Sequence, residues 1–338
     1  MATATLAAPP FLPPSPPAPA PRMRRRAARP FLRAACAYAL QEGQSRRFHR
    51  LPCGLDLEVI AQPPPAPGGG GGAAPPAAGV RARELPRGLV LGGALAALLL
   101  AGRGESSVPQ EAVAGTLETH TGDIADFIQK EIPSPPVLIG HSFGGLIVQQ
   151  YISCLQGSES HPKLAGAVLV CSVPPSGNSG LVWRYLLTKP VAAFKVTLSL
   201  AAKAYANSLS LCKETFFSPQ MDDELVLRYQ ALMKESSKLP MFDLRKLNAA
   251  LPVPSVPDNT TEVLVMGANN DFIVDSEGLS ETSRFYGVQP VCVEACSVID
   301  ATGHLLLADA AARTHHPSPW RALAYWWVHQ TATGQLQM

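Results

Sequence analysis

A serine lies between two glycines in Gly140-His141-Ser142-Phe143-Gly144, which matches the pattern G-x-S-x-G. Glycines allow the chain to turn sharply between a strand and a helix, so that the serine hydroxyl projects from the turn. Such a hydroxyl can attack a carbonyl carbon when a nearby base removes its proton. The backbone N–H of Phe143, at the start of the following helix, could then stabilise the oxyanion. The pattern therefore predicts Ser142 as a nucleophile and Phe143 as an oxyanion donor.

The neighbouring residues predict the two elements that must position this serine. The apolar run over 136–139 is typical of a strand, and the amphipathic run over 146–152 is typical of a helix. A chance glycine-rich turn around an ordinary serine is the alternative, and the flanking strand and helix argue against it. Ser142 is thus expected at the carboxyl edge of a sheet.

Residues 137–152 resemble the α/β-hydrolase superfamily in its serine-hydrolase branch, where a serine, an acid and a histidine follow in that order. The resemblance implies an acid just after a later strand. Asp271 has this position, because it follows a strand-like apolar run over 262–268. An ordinary turn residue is the alternative, since aspartate favours turns. Asp275, four residues farther on, is the alternative acid, although its position favours the cap of a helix that begins near Ser276.

The resemblance also implies a histidine near the end of the chain, and His304 is the candidate general base because it follows a glycine, as in the family's histidine loop. It lies ten residues beyond Glu294, farther from the preceding strand than is usual in the family. His315 and His316 are alternatives. His141 is expected to pack against the turn, because adjacent residues on a tight turn point apart.

One part of the family pattern is not recognisable. A second oxyanion donor normally comes from a loop after an earlier strand, and no His-Gly pair precedes Ser142. The nearest substitute, residues 89–93, is separated by only four residues from the apolar run over 98–100. Parallel neighbours need a crossover of about a dozen residues. Either the run over 88–102 is one strand or helix, or this region departs from the pattern. A catalytically weak or inactive binding protein of the same fold is therefore the alternative to an enzyme.

A helix expected over 116–132 and a buried strand over 164–171 complete an α/β pattern. The predicted fold class is α/β: a mostly parallel, doubly wound sheet of the α/β-hydrolase type with an inserted helical cap. The predicted organisation is a transit peptide or disordered tail over 1–45, the first part of the core over 46–171 with a flexible linker at 62–79, the cap over 172–259, and the rest of the core over 260–338. The apolar residues of the cap predict either a wall of the site or ordinary cap core.

The first 41 residues contain nine prolines, six arginines and no acidic residue. This composition favours an organelle transit peptide, and with the family resemblance it indicates a plant-type, chloroplast-targeted member. A mitochondrial or cytoplasmic location is the alternative, and so is a disordered tail without a targeting role.

Composition and length also limit the partners. A net charge of +2 gives no broad positive field, which disfavours nucleic acid binding. The apolar run over 88–102 would span about 22 Å as a helix, less than the roughly 30 Å of a bilayer core, so no stable membrane span is expected. The histidines show no metal-ligand spacing. The predicted partner is a small-molecule ester or lipid-like substrate, with no cofactor and no metal.

Overall fold

The computed structural model describes residues 40, 44–62, 95–155, 160–217, 219, 221–236, 239–256, 260–268, 271 and 273–293. The strands are β1 (Ser45–Arg50), β2 (Asp56–Gln62), β3 (Leu95–Leu99), β4 (Val137–His141), β5 (Gly166–Val170), β6 (Val263–Ala268) and β7 (Val291–Val293). The helices are α1 (Leu117–Glu131), α2 (Phe143–Cys154), α3 (Ser179–Thr188), α4 (Pro190–Ala201), α5 (Leu209–Phe216), α6 (Asp223–Ser236), α7 (Leu244–Ala249) and α8 (Ser276–Phe285). The predicted helix over 116–132 and the predicted strand over 164–171 are confirmed as α1 and β5.

The described strands form two sheets. Strands β4, β5, β6 and β7 pair in that order, and all of these pairs are parallel. Strands β1, β2 and β3 form a separate antiparallel sheet. Every residue of β5 and β6 is buried, which fits their continuous apolar sequence in the middle of a parallel sheet. The predicted parallel core is therefore the sheet of β4 to β7, while β1, β2 and β3 run antiparallel.

Helices α1 and α2 join the two sheets into one core. Tyr151 of α2 packs with Phe127 and Ile128 of α1, against Val59 of β2 and Leu138 of β4. Farther along the parallel sheet, α2 and α8 share an apolar cluster with β5 and β6. Because α2 contacts both helices and both sheets, the position of its first residue is fixed by most of the core.

Helix α1 begins with a reciprocal pair of cap hydrogen bonds. The Thr116 hydroxyl accepts a bond from the N–H of Thr119, and the Thr119 hydroxyl accepts one from the N–H of Thr116. This arrangement satisfies two N–H groups that lack partners within the helix.

Helices α3 to α7 form the helical cap between β5 and β6, and their residues fall inside the predicted range 172–259. Of the two alternatives for their large apolar side chains, ordinary cap core is wrong for Trp183, Leu187 and Phe194, which are exposed. The range boundaries themselves stay a prediction.

The apolar run over 88–102 contains one described strand, Leu95–Leu99. Residues 88–94 lie outside the described part, so the choice between the alternatives for this run stays a prediction. Among the described helices, none combines the length and the apolar character that a membrane crossing requires.

Candidate active site

Ser142 occupies a strained turn between β4 and α2. Its φ of 53° and ψ of −121° place a non-glycine residue in a region that L-amino acids rarely adopt. The strand ends at His141 and the helix begins at Phe143, so a single residue makes the reversal. This is the strand, sharp turn and helix that the sequence predicts.

Backbone hydrogen bonds hold the turn. The N–H of Ser142 donates to the carbonyl of Val170 at 3.1 Å, which attaches the turn to the end of β5. The carbonyl of Ser142 accepts from the N–H of Gly145 at 3.0 Å and of Val173 at 3.1 Å. Among the described residues none forms a hydrogen bond with the Ser142 hydroxyl, so the backbone alone fixes the serine there.

Two glycines allow the helix to approach the strand this closely. A Cβ at Gly140 would lie 2.5 Å from the carbonyl oxygen of Gly144. A Cβ at Gly145 would collide with the side chain of Ser172, which follows β5. By contrast, a Cβ at Gly144 would meet no atom of the described residues within 4 Å. The tight positions are therefore the first glycine of the motif and the residue after the motif.

Phe143 is the first residue of α2, and the first N–H groups of a helix have no acceptor within it. The positive end of the helix dipole adds to the attraction for an anion at this place. The ring of Phe143 packs edge-on against Phe242, with 5.6 Å between the ring centroids. Phe242 lies just before α7, so the start of α2 is also fixed by the cap region.

Asp271 follows β6, and its carboxylate is held by a turn. Its Oδ1 accepts hydrogen bonds from the N–H of Ile273 at 2.8 Å and of Val274 at 2.9 Å. The N–H of Asp271 itself donates to the carbonyl of Ala268, the last residue of β6. These hydrogen bonds are the ones expected of an ordinary turn residue, which is the alternative role of Asp271. They also fix its carboxylate near the sheet edge.

Ser142 and Asp271 lie at the same edge of the parallel sheet. They follow β4 and β6, which flank β5 in register. With about 4.8 Å between neighbouring strands, the two strand ends lie roughly 10 Å apart. An imidazole placed between the two side chains could contact both of them.

His141 adds a titratable group beside Asp271. Burial lowers the pKa of the His141 imidazole, and the negative charge of Asp271 opposes this shift. The residue as a whole keeps exposed surface although burial lowers the pKa of its imidazole, so the expectation that His141 packs against the turn stays a prediction.

Asp275 is the N-cap of α8, as the sequence predicts. Its Oδ1 accepts from the N–H of Gly278 at 2.9 Å. Arg184 of α3 donates two hydrogen bonds to the same carboxylate, each 2.7 Å long. These bonds lower the pKa of Asp275, with the Arg184 bond as the largest cause. The pair attaches the cap to the core close to Asp271.

The polar support beneath the turn was not predictable from the motif. Gln149 of α2 is fully buried, and its amide nitrogen donates to Ser172 Oγ at 2.8 Å and to the Val173 carbonyl at 2.7 Å. Val173 also donates to the Ser142 carbonyl, so this amide positions the loop that holds the serine. Gln149 lies seven residues after Ser142, and only the packed structure shows this connection.

His304 lies outside the described residues, and so do His315, His316 and the run over 89–93. The histidine of the triad and the second oxyanion donor therefore stay predictions. In the described part of the chain, no group of three or more His, Cys, Asp or Glu side chains could hold a metal ion.

Residues 67–315 match the sequence model of the alpha/beta hydrolase family. The match covers more than half of the chain, so the chain belongs to this family. The α/β-hydrolase fold with its parallel sheet and helical cap is thereby established. No curated protein matches the chain in sequence.

Several solved structures are similar to the chain. An alpha/beta hydrolase from Novosphingobium aromaticivorans is 16% identical, covers 80% of this chain and 99% of its own, and has a TM-score of 0.47. A putative lipase from Acinetobacter baumannii is 22% identical, covers 75% of this chain and 84% of its own, and has a TM-score of 0.49. An esterase from Exiguobacterium antarcticum is 16% identical, covers 72% of this chain and 89% of its own, and has a TM-score of 0.48.

Proposed function

We propose that the protein is a serine hydrolase that cleaves a carboxylic ester or thioester. The observation on which the proposal rests is the backbone of Ser142, whose strained conformation presents a hydroxyl beside the start of α2. Protein structures retain such strain where it serves a function. Membership of the α/β-hydrolase family supports the same chemistry.

In the proposed mechanism, Ser142 Oγ attacks the carbonyl carbon while His304 takes the hydroxyl proton. The N–H of Phe143 stabilises the negative charge on the carbonyl oxygen. His304 then returns the proton to the leaving alcohol or thiol, which gives an acyl-enzyme. Water, activated by the same histidine, attacks this ester and releases the acid. The Asp271 carboxylate orients the imidazole and stabilises its charged form.

A fluorophosphonate probe tests the nucleophile, because it labels only an activated serine. We expect labelling of the full chain and its loss in Ser142→Ala. Ser160→Ala is the control, since Ser160 Oγ lies 3.1 Å from His161 Nδ1 on an exposed turn. That variant should label normally, because proximity to a histidine without the strained turn does not activate a serine. A folded wild-type protein that stays unlabelled would favour the binding-protein alternative.

We further propose a lipophilic acyl group as the preferred substrate. Phe143 packs on a buried apolar cluster and is itself only partly buried, so an apolar ring lies next to the nucleophile. A series of p-nitrophenyl esters tests this. We expect kcat/KM to rise from the acetate to medium-chain esters, and a preference for the acetate would contradict it.

We also propose that residues 1–45 are a transit peptide of a plant-type member and direct the protein to the chloroplast. The absence of acidic residues before Glu42 and the six arginines in that stretch support this. A fluorescent protein fused behind residues 1–45 tests it in plant cells. Import into mitochondria, or diffuse cytoplasmic signal, would contradict the chloroplast assignment.

A further inference from the structure

The connection between β6 and α8 is held by two aspartates. Asp271 accepts hydrogen bonds from the N–H groups of Ile273 and Val274 through its Oδ1. Asp275 accepts the N–H of Gly278 and thereby caps the start of α8. Because Val274 is bonded to Asp275 along the chain, a displacement of Asp275 shifts the donors that hold the Asp271 carboxylate.

Arg184 of α3 holds Asp275 through both carboxylate oxygens. Its Nε donates to Oδ2 and its Nη2 donates to Oδ1, each at 2.7 Å. A bidentate pair of this kind fixes the orientation of a carboxylate as well as its distance. A helix of the cap therefore restrains the residue that follows the donors of Asp271.

An apolar contact places Arg184 at this position. Leu181 of α3 is only 6% exposed and lies against the first turn of α8. A Cβ at Gly278 would lie 2.7 Å from Leu181 Cδ2, so the missing side chain at Gly278 makes room for the leucine. Leu181 and Arg184 are three residues apart and share one face of α3. The same face thus buries a leucine against α8 and brings the guanidinium to Asp275.

We propose that Arg184 is a positioning residue for the acid of the proposed triad. By holding Asp275, it keeps the N–H donors of Asp271 in place. Both of these donors bind Oδ1, so Oδ2 is the oxygen that can accept a hydrogen bond from an imidazole N–H. This role rests on the proposed function, because Asp271 orients an imidazole only in that mechanism.

Hydrolysis of p-nitrophenyl butyrate by the full chain tests the proposal. Arg184→Ala should lower kcat at least about tenfold, because a misplaced catalytic group costs this much or more. It should leave KM within about twofold, because the lost interaction serves the transition state. Arg184→Lys keeps the charge without the bidentate geometry, so its kcat should lie between those of Arg184→Ala and the wild type.

Asp275→Asn breaks the same pair from the other side. Asparagine keeps the N-cap of α8 but removes the charge that Arg184 binds, so kcat should fall as in Arg184→Ala. Urea unfolding should show both variants folded, since a partly exposed ion pair contributes little to stability. If Arg184→Ala does not fold, Asp275→Asn carries the test.

The variant Asp271→Asn shows whether Arg184 acts through Asp271. If it does, Arg184→Ala should lower the kcat of the wild type and leave the residual kcat of Asp271→Asn nearly unchanged. Equal fold-losses in the two backgrounds would show an effect that does not pass through Asp271, and would overturn the proposal. An unchanged kcat with a raised KM in Arg184→Ala would also overturn it, because the pair would then only attach the cap.

Arg284→Ala is the matched control, because Arg284 forms an exposed ion pair with Glu277 within α8. It should keep the kcat and KM of the wild type. Hydrolysis that persists unchanged in Ser142→Ala would overturn the proposed function, and the role of Arg184 with it. Hydrolysis that depends on Ser142 but is unaffected by Arg184→Ala would overturn the role of Arg184 alone.

Discussion

The side chains around the turn at Ser142 divide into those that a motif can predict and those that it cannot. Glycines on either side of a serine predict a sharp turn, and the φ of 53° at Ser142 agrees with it. The pattern does not distinguish which glycines are sterically required. The structure does, because Gly140 and Gly145 face close neighbours whereas Gly144 faces open space within the described residues.

We predict that Gly145→Ala lowers stability and activity, whereas Gly144→Ala leaves stability unchanged or slightly higher. A methyl group at position 145 must displace Ser172, and overpacking of this kind costs about 1–3 kcal/mol. Alanine at position 144 reduces the entropy lost on folding, which gains roughly 0.5–1 kcal/mol in a helix. Urea unfolding of both variants measures these free energies, and probe labelling of Ser142 measures the effect on the turn. Equal unfolding midpoints would contradict the steric assignment.

Only part of the candidate site follows from sequence. Asp271 could be placed after a strand because acids of this family follow strands, and β6 does end just before it. Its hydrogen bonds to Ile273 and Val274 depend on the exact path of the turn, which composition does not specify. The contact between Gln149 and Ser172 joins a helix to a distant loop, and no local pattern encodes such a pairing.

At the scale of the elements, α1 contains two acids in different environments. Burial raises the pKa of Asp123 to about 6, and the charge of Asp126 adds to this shift while His49 opposes it. Burial would also raise the pKa of Asp126, but hydrogen bonds from Lys130 and His49 outweigh it and lower the pKa. The same helix therefore has one acid that disfavours the folded state when ionised and one that favours it.

We predict that Asp123→Asn stabilises the protein at pH 8 but not at pH 4. The pKa of Asp123 is higher in the folded state than in the unfolded state, so its contribution to stability is fully present below the unfolded value of 3.8 and is lost as the pH rises through about 6. Removing the charge should therefore recover roughly 1–2 kcal/mol at pH 8, after allowance for partial solvent contact. Urea unfolding at both pH values measures the difference.

Asp126→Asn is the matched comparison, because it changes the same residue type one turn later on α1. This variant loses the ionised partner of Lys130 and His49, so it should destabilise the protein at pH 8. The loss should shrink as the pH falls through the lowered pKa of Asp126. If both variants shift stability in the same direction at pH 8, the two environments have been assigned incorrectly.

At the scale of the whole molecule, buried strands were easier to predict than surfaces. The apolar runs that became β5 and β6 are buried along their full length, and such runs leave little choice but a central strand. The cap residues Trp183 and Phe194 are equally apolar, yet they are exposed. Hydrophobicity predicts burial only when no other apolar environment is available, and a partner surface is such an environment.

The division of the strands into two sheets makes α2 the element on which cooperative folding depends. Tyr151 is fully buried where α1, α2 and both sheets meet, and its hydroxyl donates to the Pro162 carbonyl at 2.8 Å. We predict that Tyr151→Phe loses about 1 kcal/mol, the value of one hydrogen bond. Tyr151→Ala should lose about 3–5 kcal/mol, because it also leaves a cavity. Urea unfolding followed by far-UV circular dichroism measures both losses.

Hydrogen exchange then shows whether the two sheets unfold as one unit. If Tyr151 joins them, Tyr151→Ala should reduce protection of the β2 amides and the β5 amides by the same free energy. Tyr229→Ala is the control, because Tyr229 stacks on Phe217 within the cap. That variant should loosen α5 and α6 and leave both sheets protected. Loss of protection in one sheet alone would mean that Tyr151 stabilises that sheet without coupling it to the other.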